Sequence, residues 1–362
     1  MPSLFDPVNY GSIEAKNRIV LAPLTRARNT KEAVPTDIMV KYYADRANIG
    51  LIISEAVGIN RAALGWPYGP GIWNQKQVDA WKPITKAVHE KGGKIVCQLW
   101  HMGRAVHSQV TGTQPLSASA TKYPGQLHVY GGKADSEIAH PLSVQEIKSI
   151  VEDYATAAKN AIAAGFDGVQ IHAANGYLIH QFLGDSTNLR TDEYGGSLEN
   201  KTRLVKEVVA AITDAIGPER TGIRFSPNGE DQGVSIANPE PIYLDIIKFL
   251  NERKVAFVGL RESNPTSNFS RSDQPKLGNK FHEHFNGRLI LNQDYTREEA
   301  IKTLEEGNAD AISFGRPTIA NPDIVEKFKR NIPLVEWANE IKYWYIPGTV
   351  GYTEPPPSAE TN

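Results

Sequence analysis

The chain has 362 residues, 39 Lys and Arg against 41 Asp and Glu, a net charge of −2 with His neutral, and a single cysteine, Cys97. Near-neutrality without a basic tract argues against nucleic acid or an anionic membrane as the main partner, and one cysteine excludes disulfide frameworks, Cys-built zinc sites and iron–sulfur clusters within one chain. No apolar run reaches the roughly 18 residues of a membrane span, and the opening MPSLFDPVNYGS lacks the basic-then-apolar pattern of a signal peptide, so a cytoplasmic enzyme is expected.

Short β-branched runs alternate with longer amphipathic stretches along the chain. Residues 18–25 (RIVLAPLT) precede a helical pattern at 36–46, and 50–56 (GLIISEA) precede one at 75–91. Residues 94–100 (KIVCQLW) are followed, after a long interval, by 143–164, which opens on the capping box Ser143-x-x-Glu146. Then come 167–172 (DGVQIH) with 197–216, stopped at Gly217, and 221–226 (TGIRFS) with 239–252. The last three pairs are 255–262 (VAFVGLRE) with a weaker helix at 276–285, 289–294 (LILNQD) with 297–306, and 309–316 (ADAISFGR) with 323–329.

Near-continuous apolar strands belong in a parallel sheet covered on both faces. Eight of them, each followed by a helix, predict an α/β fold of the (β/α)8 TIM-barrel type over 1–362 rather than two domains. A doubly wound open sheet is the runner-up, but its Gly-rich fingerprint is missing after the first strand, where Leu24-Thr25-Arg26-Ala27-Arg28 stands. The interval 101–142 is too long for a plain connection and is expected to form a capping excursion over the catalytic face. The final stretch, 346–362, is rich in Pro and Gly and is expected to be irregular with a frayed end.

Barrel chemistry sits at the C-terminal ends of the strands. There the sequence puts Pro23-Leu24-Thr25, Glu55-Ala56, Gln98 with Trp100, His172, Arg224, Asn292 and Gly315-Arg316. Gly315 and Arg316 read equally as a phosphate site or as a strand-ending turn with a solvated Arg. Arg224, inside a strand, requires a buried negative partner; taken alone it favours a protein carboxylate over a ligand. Thr25, Gln98 and Glu55 taken singly read as structural. In IHAANGYL, His172 and Asn175 are three apart, so one helical turn would put them on one face. With Tyr177 they could supply two hydrogen-bond donors and a proton near one oxygen, which favours function over a structural His. No metal is expected: His101 with His107, and His282 with His284, lack a third ligand at recognisable spacing.

Residues 172–203, HAANGYLIHQFLGDSTNLRTDEYGGSLENKTR, resemble the signature of the old yellow enzymes, FMN-dependent ene-reductases built on (β/α)8 barrels. The likeness extends over nearly the whole chain, through SLFDPVNYGSIEAKNRIVLAPLTR, GLIISEA, GWPYGPGIW, QLWHMGR, DAISFGRPTIANPD and GYTEPP. The resemblance implies that Pro23, Leu24, Thr25, Ala56, Gln98, Arg224, Asn292, Gly315 and Arg316 hold FMN. It implies that Arg224 faces the pyrimidine edge of the flavin, a better account of that residue than a protein carboxylate. It further implies that His172 and Asn175 grip the substrate oxygen, that Tyr177 donates the proton, and that Trp66, Trp100 and Tyr345 shape the substrate pocket.

The implied reaction is ping-pong. A reduced nicotinamide, NADPH or NADH, gives hydride to the flavin, and an activated alkene then takes it at its β-carbon. The expected partners are small α,β-unsaturated carbonyl or nitro compounds, with the protein a monomer or homodimer. Asn175 stands where many relatives have His, and Trp66 where many have Tyr; both bear on substrate preference. Thr25 in place of Cys resembles the classical branch. The alternatives are a flavin-free barrel aldolase or isomerase, and a non-catalytic flavin-binding protein.

Overall fold

The protein is described by a computed structural model covering residues 2–267, 270–336, 341–345 and 347–355. Eight parallel strands close into a barrel in sequence order: β1 (Ile19–Leu21), β2 (Leu51–Gly58), β3 (Ile95–Trp100), β4 (Gly168–His172), β5 (Thr221–Phe225), β6 (Phe257–Arg261), β7 (Arg288–Asn292) and β8 (Ala311–Phe314). Each is followed by a helix: α1 (Ile38–Ala44), α2 (Gln75–Glu90), α3 (Val144–Ala163), α4 (Leu198–Ile216), α5 (Pro239–Glu252), α6 (Gly278–His284), α7 (Arg297–Glu305) and α8 (Ile324–Lys329). All eight expected pairs are present and the TIM barrel is correct. Apart from β2, which runs two residues past its apolar run, the strands are shorter than their runs, most of all β1, because the runs continue into the loops that leave the barrel.

The helices pack by one stripe. In α3 the buried residues Ile147, Ile150, Tyr154, Ala157, Ala158 and Ala161 recur at three- and four-residue spacing, and the Ser143/Glu146 capping box forms in both directions. Inside the barrel the period of two sorts residues into layers. The lower layer is apolar: Val20, Leu51, Ile53, Val96, Phe257, Ile290 and Ala311 form one buried cluster. Gly222 is required there, because a Cβ would lie 2.2 Å from the Phe257 ring. Two residues further along, the same alternation gives Gln98, Arg224 and Asn292, so the interior turns polar toward the C-terminal mouth.

A hairpin that the strand and helix pattern did not predict, Val8–Tyr10 with Ile13–Ala15, closes the opposite end. Its Val8, Tyr10, Ile13 and Ala15 join the lower apolar cluster. The interval after β3 carries the short helix Ser108–Thr111, an antiparallel pair Gln126–Val129 with Gly132–Asp135, and a parallel pair Leu116–Ser117 with His140–Pro141. Over 347–355 the tail is irregular, as expected, and it is anchored, with Tyr352 buried and stacked on Tyr42 at 4.1 Å between ring centroids. The rest of that stretch, 346 and 356–362, lies outside the described residues.

Candidate active site

The polar layer at the barrel mouth is knit by side-chain amides. Gln98 Nε2 donates to Gln170 Oε1 at 2.8 Å. Arg224 Nη2 donates to Asn292 Oδ1 at 2.8 Å, and Asn292 Nδ2 donates to the Ser313 carbonyl at 2.8 Å. Arginine has only donors to offer, so this chain of bonds fixes the orientation of the Asn292 amide. The protein-carboxylate reading of Arg224 fails: its bonded partner is a neutral amide. Burial, then the nearby Arg261, push the Arg224 guanidinium down to about 9.

Three buried polar atoms around this floor have no partner among the described residues: Gln170 Nε2, His172 Nδ1 and Trp100 Nε1. A buried unpaired polar atom is costly, and three beside an unneutralised guanidinium mark a surface built for a polar, electron-rich ligand.

Around the floor stand the loops. Pro23, Leu24 and Thr25 leave β1 half-buried. The next backbone N–H groups, of Arg26 and Ala27, donate to Glu55 Oε2 at 3.3 and 3.2 Å, bending the loop over β2 beside Ala56. Glu55 is thus structural, as expected, and burial pushes its carboxyl up to about 7. After β8, Gly315 packs beside Leu24 and Ala22. Arg316, at the start of the short helix Pro317–Ala320, pairs with Asp294 at 3.5 Å and is not the freely solvated Arg of the turn reading.

His172 ends β4 and is buried. The helical-turn expectation for His172 and Asn175 is wrong. The strand breaks into a tight turn in which Asn175 and Gly176 take φ of 58° and 78°, and the helix begins only at Leu178. Gly176 is demanded twice, by its φ and because a Cβ would lie 2.4 Å from the Asp231 carbonyl oxygen. The turn still brings Tyr177 against His172, with Asn175 between them in the chain. Tyr177 lies edge-on to His172 at 5.0 Å and to Trp100 at 4.9 Å between ring centroids. Burial, reinforced by Arg224 and Arg261, pushes the His172 imidazole well below its usual range, so the ring is neutral. Burial raises the Tyr177 phenol, which stays protonated.

Above this group, Trp66 contacts Tyr345 at 4.9 Å and His128, from the Gln126–Val129 strand, at 4.8 Å.

Sequence reasoning missed four supports. Arg28 Nη1 donates to the Trp344 carbonyl at 2.8 Å and Arg26 Nη2 to the Gly351 carbonyl at 2.5 Å, tethering the tail that carries Tyr345. Gln181 Nε2 donates to the Gly176 carbonyl at 2.8 Å, bracing the turn. Arg261, at the end of β6, donates to Asn175 Oδ1 at 2.6 Å. Its signal was a second Arg closing an apolar strand, the same signal that singled out Arg224.

The family profile described as "NADH:flavin oxidoreductase / NADH oxidase family" matches residues 3–335. The solved structure of the old yellow enzyme homologue from Zymomonas mobilis is 52% identical, with a TM-score of 0.95, over 97% of this chain and 99% of that one. The chain belongs to the old yellow enzyme family. A structure of morphinone reductase in complex with tetrahydroNAD is 40% identical with a TM-score of 0.91, over 100% of this chain and 99% of that one. A probable flavin mononucleotide-dependent alkene reductase of Leishmania infantum is 40% identical over 98% of this chain and 97% of its own.

In this old yellow enzyme the residues fit a flavin mononucleotide on their own chemistry. The floor offers a row of amide groups and a cation to the heteroatom edge of a planar ring, and Gly315 with Arg316 offers a small residue and a cation to a phosphate. Among the described residues no cluster of His, Cys, Asp and Glu could hold a metal ion, and no described helix is long and apolar enough to cross a membrane.

Proposed function

We propose that the protein is an FMN-dependent ene-reductase that reduces the C=C bond of α,β-unsaturated carbonyl or nitro compounds, with Tyr177 as proton donor. The observation that carries this reading is the gathering of neutral His172, Asn175 and protonated Tyr177 beside an amide-lined floor bearing Arg224. The alkene reductase and morphinone reductase relatives support it.

Pro23, Leu24, Thr25, Ala56, Gln98, Arg224 and Asn292 would hold the ring of FMN, and Gly315 and Arg316 its phosphate. FMN bound there would supply the hydride, received from a reduced nicotinamide (NADPH in this reading), that adds to the β-carbon of the alkene. His172, being neutral, donates an N–H to the carbonyl or nitro oxygen of the substrate. Asn175 donates from its amide to the same oxygen. Negative charge grows on that oxygen only as the reaction proceeds, so donors already in place favour the transition state over the ground state. Tyr177 holds a proton at Oη and releases it to the α-carbon. Trp66, Trp100 and Tyr345 wall the substrate in, and the 101–142 segment acts as a cap over the single-domain barrel, excluding water.

The test is spectroscopic. The purified protein should be yellow, bleach anaerobically with NADPH or, in parallel, NADH, and regain its colour without oxygen when 2-cyclohexenone is added. Bleaching without recolouring by any enone or nitroalkene would leave a flavin-binding protein, and a colourless protein that takes up no FMN would leave a flavin-free barrel enzyme.

A further inference from the structure

Asn175 has an amide whose two ends are nearly identical in shape and opposite in chemistry: Oδ1 accepts and Nδ2 donates. A substrate carbonyl can use only the donor. Something must therefore decide which end faces the substrate, and the backbone does not, although it is well fixed. Asn175 sits in the left-handed region at φ 58°, with its own N–H donating to Ser226 Oγ at 2.8 Å.

The decision is made by the end of β6. Arg261 Nε donates to Asn175 Oδ1 at 2.6 Å. Having no acceptor, Arg261 can bind only the oxygen end of the amide, and Nδ2 is turned the other way. Arg261 itself cannot rotate away. Its Nη2 meets both carboxylate oxygens of Asp231 at 2.5 Å, and its Nη1 donates to Ser263 Oγ at 2.9 Å. The side chains of Arg261 and Asp231 are only 4% and 1% exposed, and Asp231 is further fixed by Ser270 Oγ and by backbone bonds to Val234. Three of the guanidinium nitrogens are thus engaged, Nε by Asn175, Nη1 by Ser263 and Nη2 by Asp231, and the charge-assisted bond to Asp231 is the strongest kind.

We infer that Arg261, locked by Asp231, is a positioning residue that turns the donor end of the Asn175 amide toward the substrate oxygen. The inference rests on the substrate-binding reading of Asn175 given above.

The test uses the FMN-loaded enzyme and 4-hydroxybenzaldehyde, a phenol whose oxygen can only be gripped by donors once ionised, with binding read from the flavin absorbance. Arg261→Met should weaken binding about tenfold and raise the KM for 2-cyclohexenone by a similar factor, the size of one hydrogen bond to an ordered donor, with a smaller change in kcat. Because that variant strands a buried carboxylate, Arg261→Met with Asp231→Leu, which removes both charges, is made alongside and should show the same weakening. The decisive readout is coupling: in an Asn175→Ala background, Arg261→Met should cost less than twofold more. Equal losses in both backgrounds, or unchanged binding in the charge-free double variant while Asn175→Ala is impaired, overturn the positioning role alone. Unchanged binding in Asn175→Ala overturns the substrate-binding reading of Asn175 and this inference with it.

Discussion

Arg224 gives the sharpest prediction, because its surroundings penalise it until an electron-rich ligand arrives. The residue is 7% exposed, and its guanidinium bonds a neutral amide at 2.8 Å and lies near a second arginine. Its fall from 12.5 to about 9 corresponds to destabilisation of the charged form on the order of 5 kcal/mol, at about 1.36 kcal/mol per pKa unit. Arginine does not respond by losing its proton, so the cost is borne by the fold. Arg224→Met removes that charge and leaves Asn292 Oδ1 without its donor, a loss of about 1–3 kcal/mol.

The net effect on the FMN-stripped protein is therefore a gain of about 2–4 kcal/mol, which for a chain of this size raises Tm by a few degrees. With FMN the order reverses. Losing a charged hydrogen bond of about 1.5–3 kcal/mol weakens FMN binding roughly 10- to 150-fold. Thermal unfolding of both proteins with and without FMN, together with a titration of FMN fluorescence quenching, reads both arms. A stripped Arg224→Met protein that melts below stripped wild type, with unchanged FMN affinity and reduction kinetics, would refute the reasoning.

Three further outcomes are expected. Tyr177→Phe should slow enone reduction by about 10²-fold or more while leaving flavin reduction by NADPH within a few-fold; equal losses in both half-reactions in stopped-flow traces would remove the proton-donor role. Because His172 is held below its usual range and Tyr177 above its own, neither changes protonation from about pH 6 to 10, and the rate of enone reduction should be flat there. A break near neutrality that disappears in His172→Gln would contradict this. Burial raises Glu55 from 4.5 to about 7, so its stabilising contribution is complete below about 4.5 and is lost as pH rises through 7. Glu55→Gln, which cannot ionise, should gain in Tm relative to wild type between pH 5 and pH 8, and a difference independent of pH would show that Glu55 titrates normally.

The barrel was legible because parallel strands covered on both faces are written as unbroken apolar runs, and the helices between them carry their own stripe and caps. The floor residues followed from that, since Gln98, Arg224 and Asn292 are fixed by strand register alone. The N-terminal hairpin was also written in the chain, as the alternation Val8, Tyr10, Ile13, Ala15 around Gly11, but three-residue strands are too short for periodicity to separate from loop. The shape of the turn at Asn175 was not legible. A His-to-Asn spacing of three fits a helix as well as the left-handed turn, and the bonds that decide between them come from Gln181 in the short helix that follows and from Ser226 and Arg261, far along the chain.

The two arginines show where sequence runs out most clearly. Arg224 and Arg261 both lie at the ends of apolar strands and both are buried. What separates them is a carboxylate 30 residues before Arg261 on a loop. Asp231 neutralises Arg261, so that residue can orient Asn175 without adding net charge above the floor. Among the described residues Arg224 is hydrogen-bonded to an amide and lies near Arg261, so positive charge remains in the floor, where the electron-rich edge of a flavin would meet it. Exchanging those partners would put the cation beside the substrate oxygen and leave the floor neutral. In the proposed function, the division between holding the cofactor and gripping the substrate therefore depends on the placement of Asp231 as much as on either arginine.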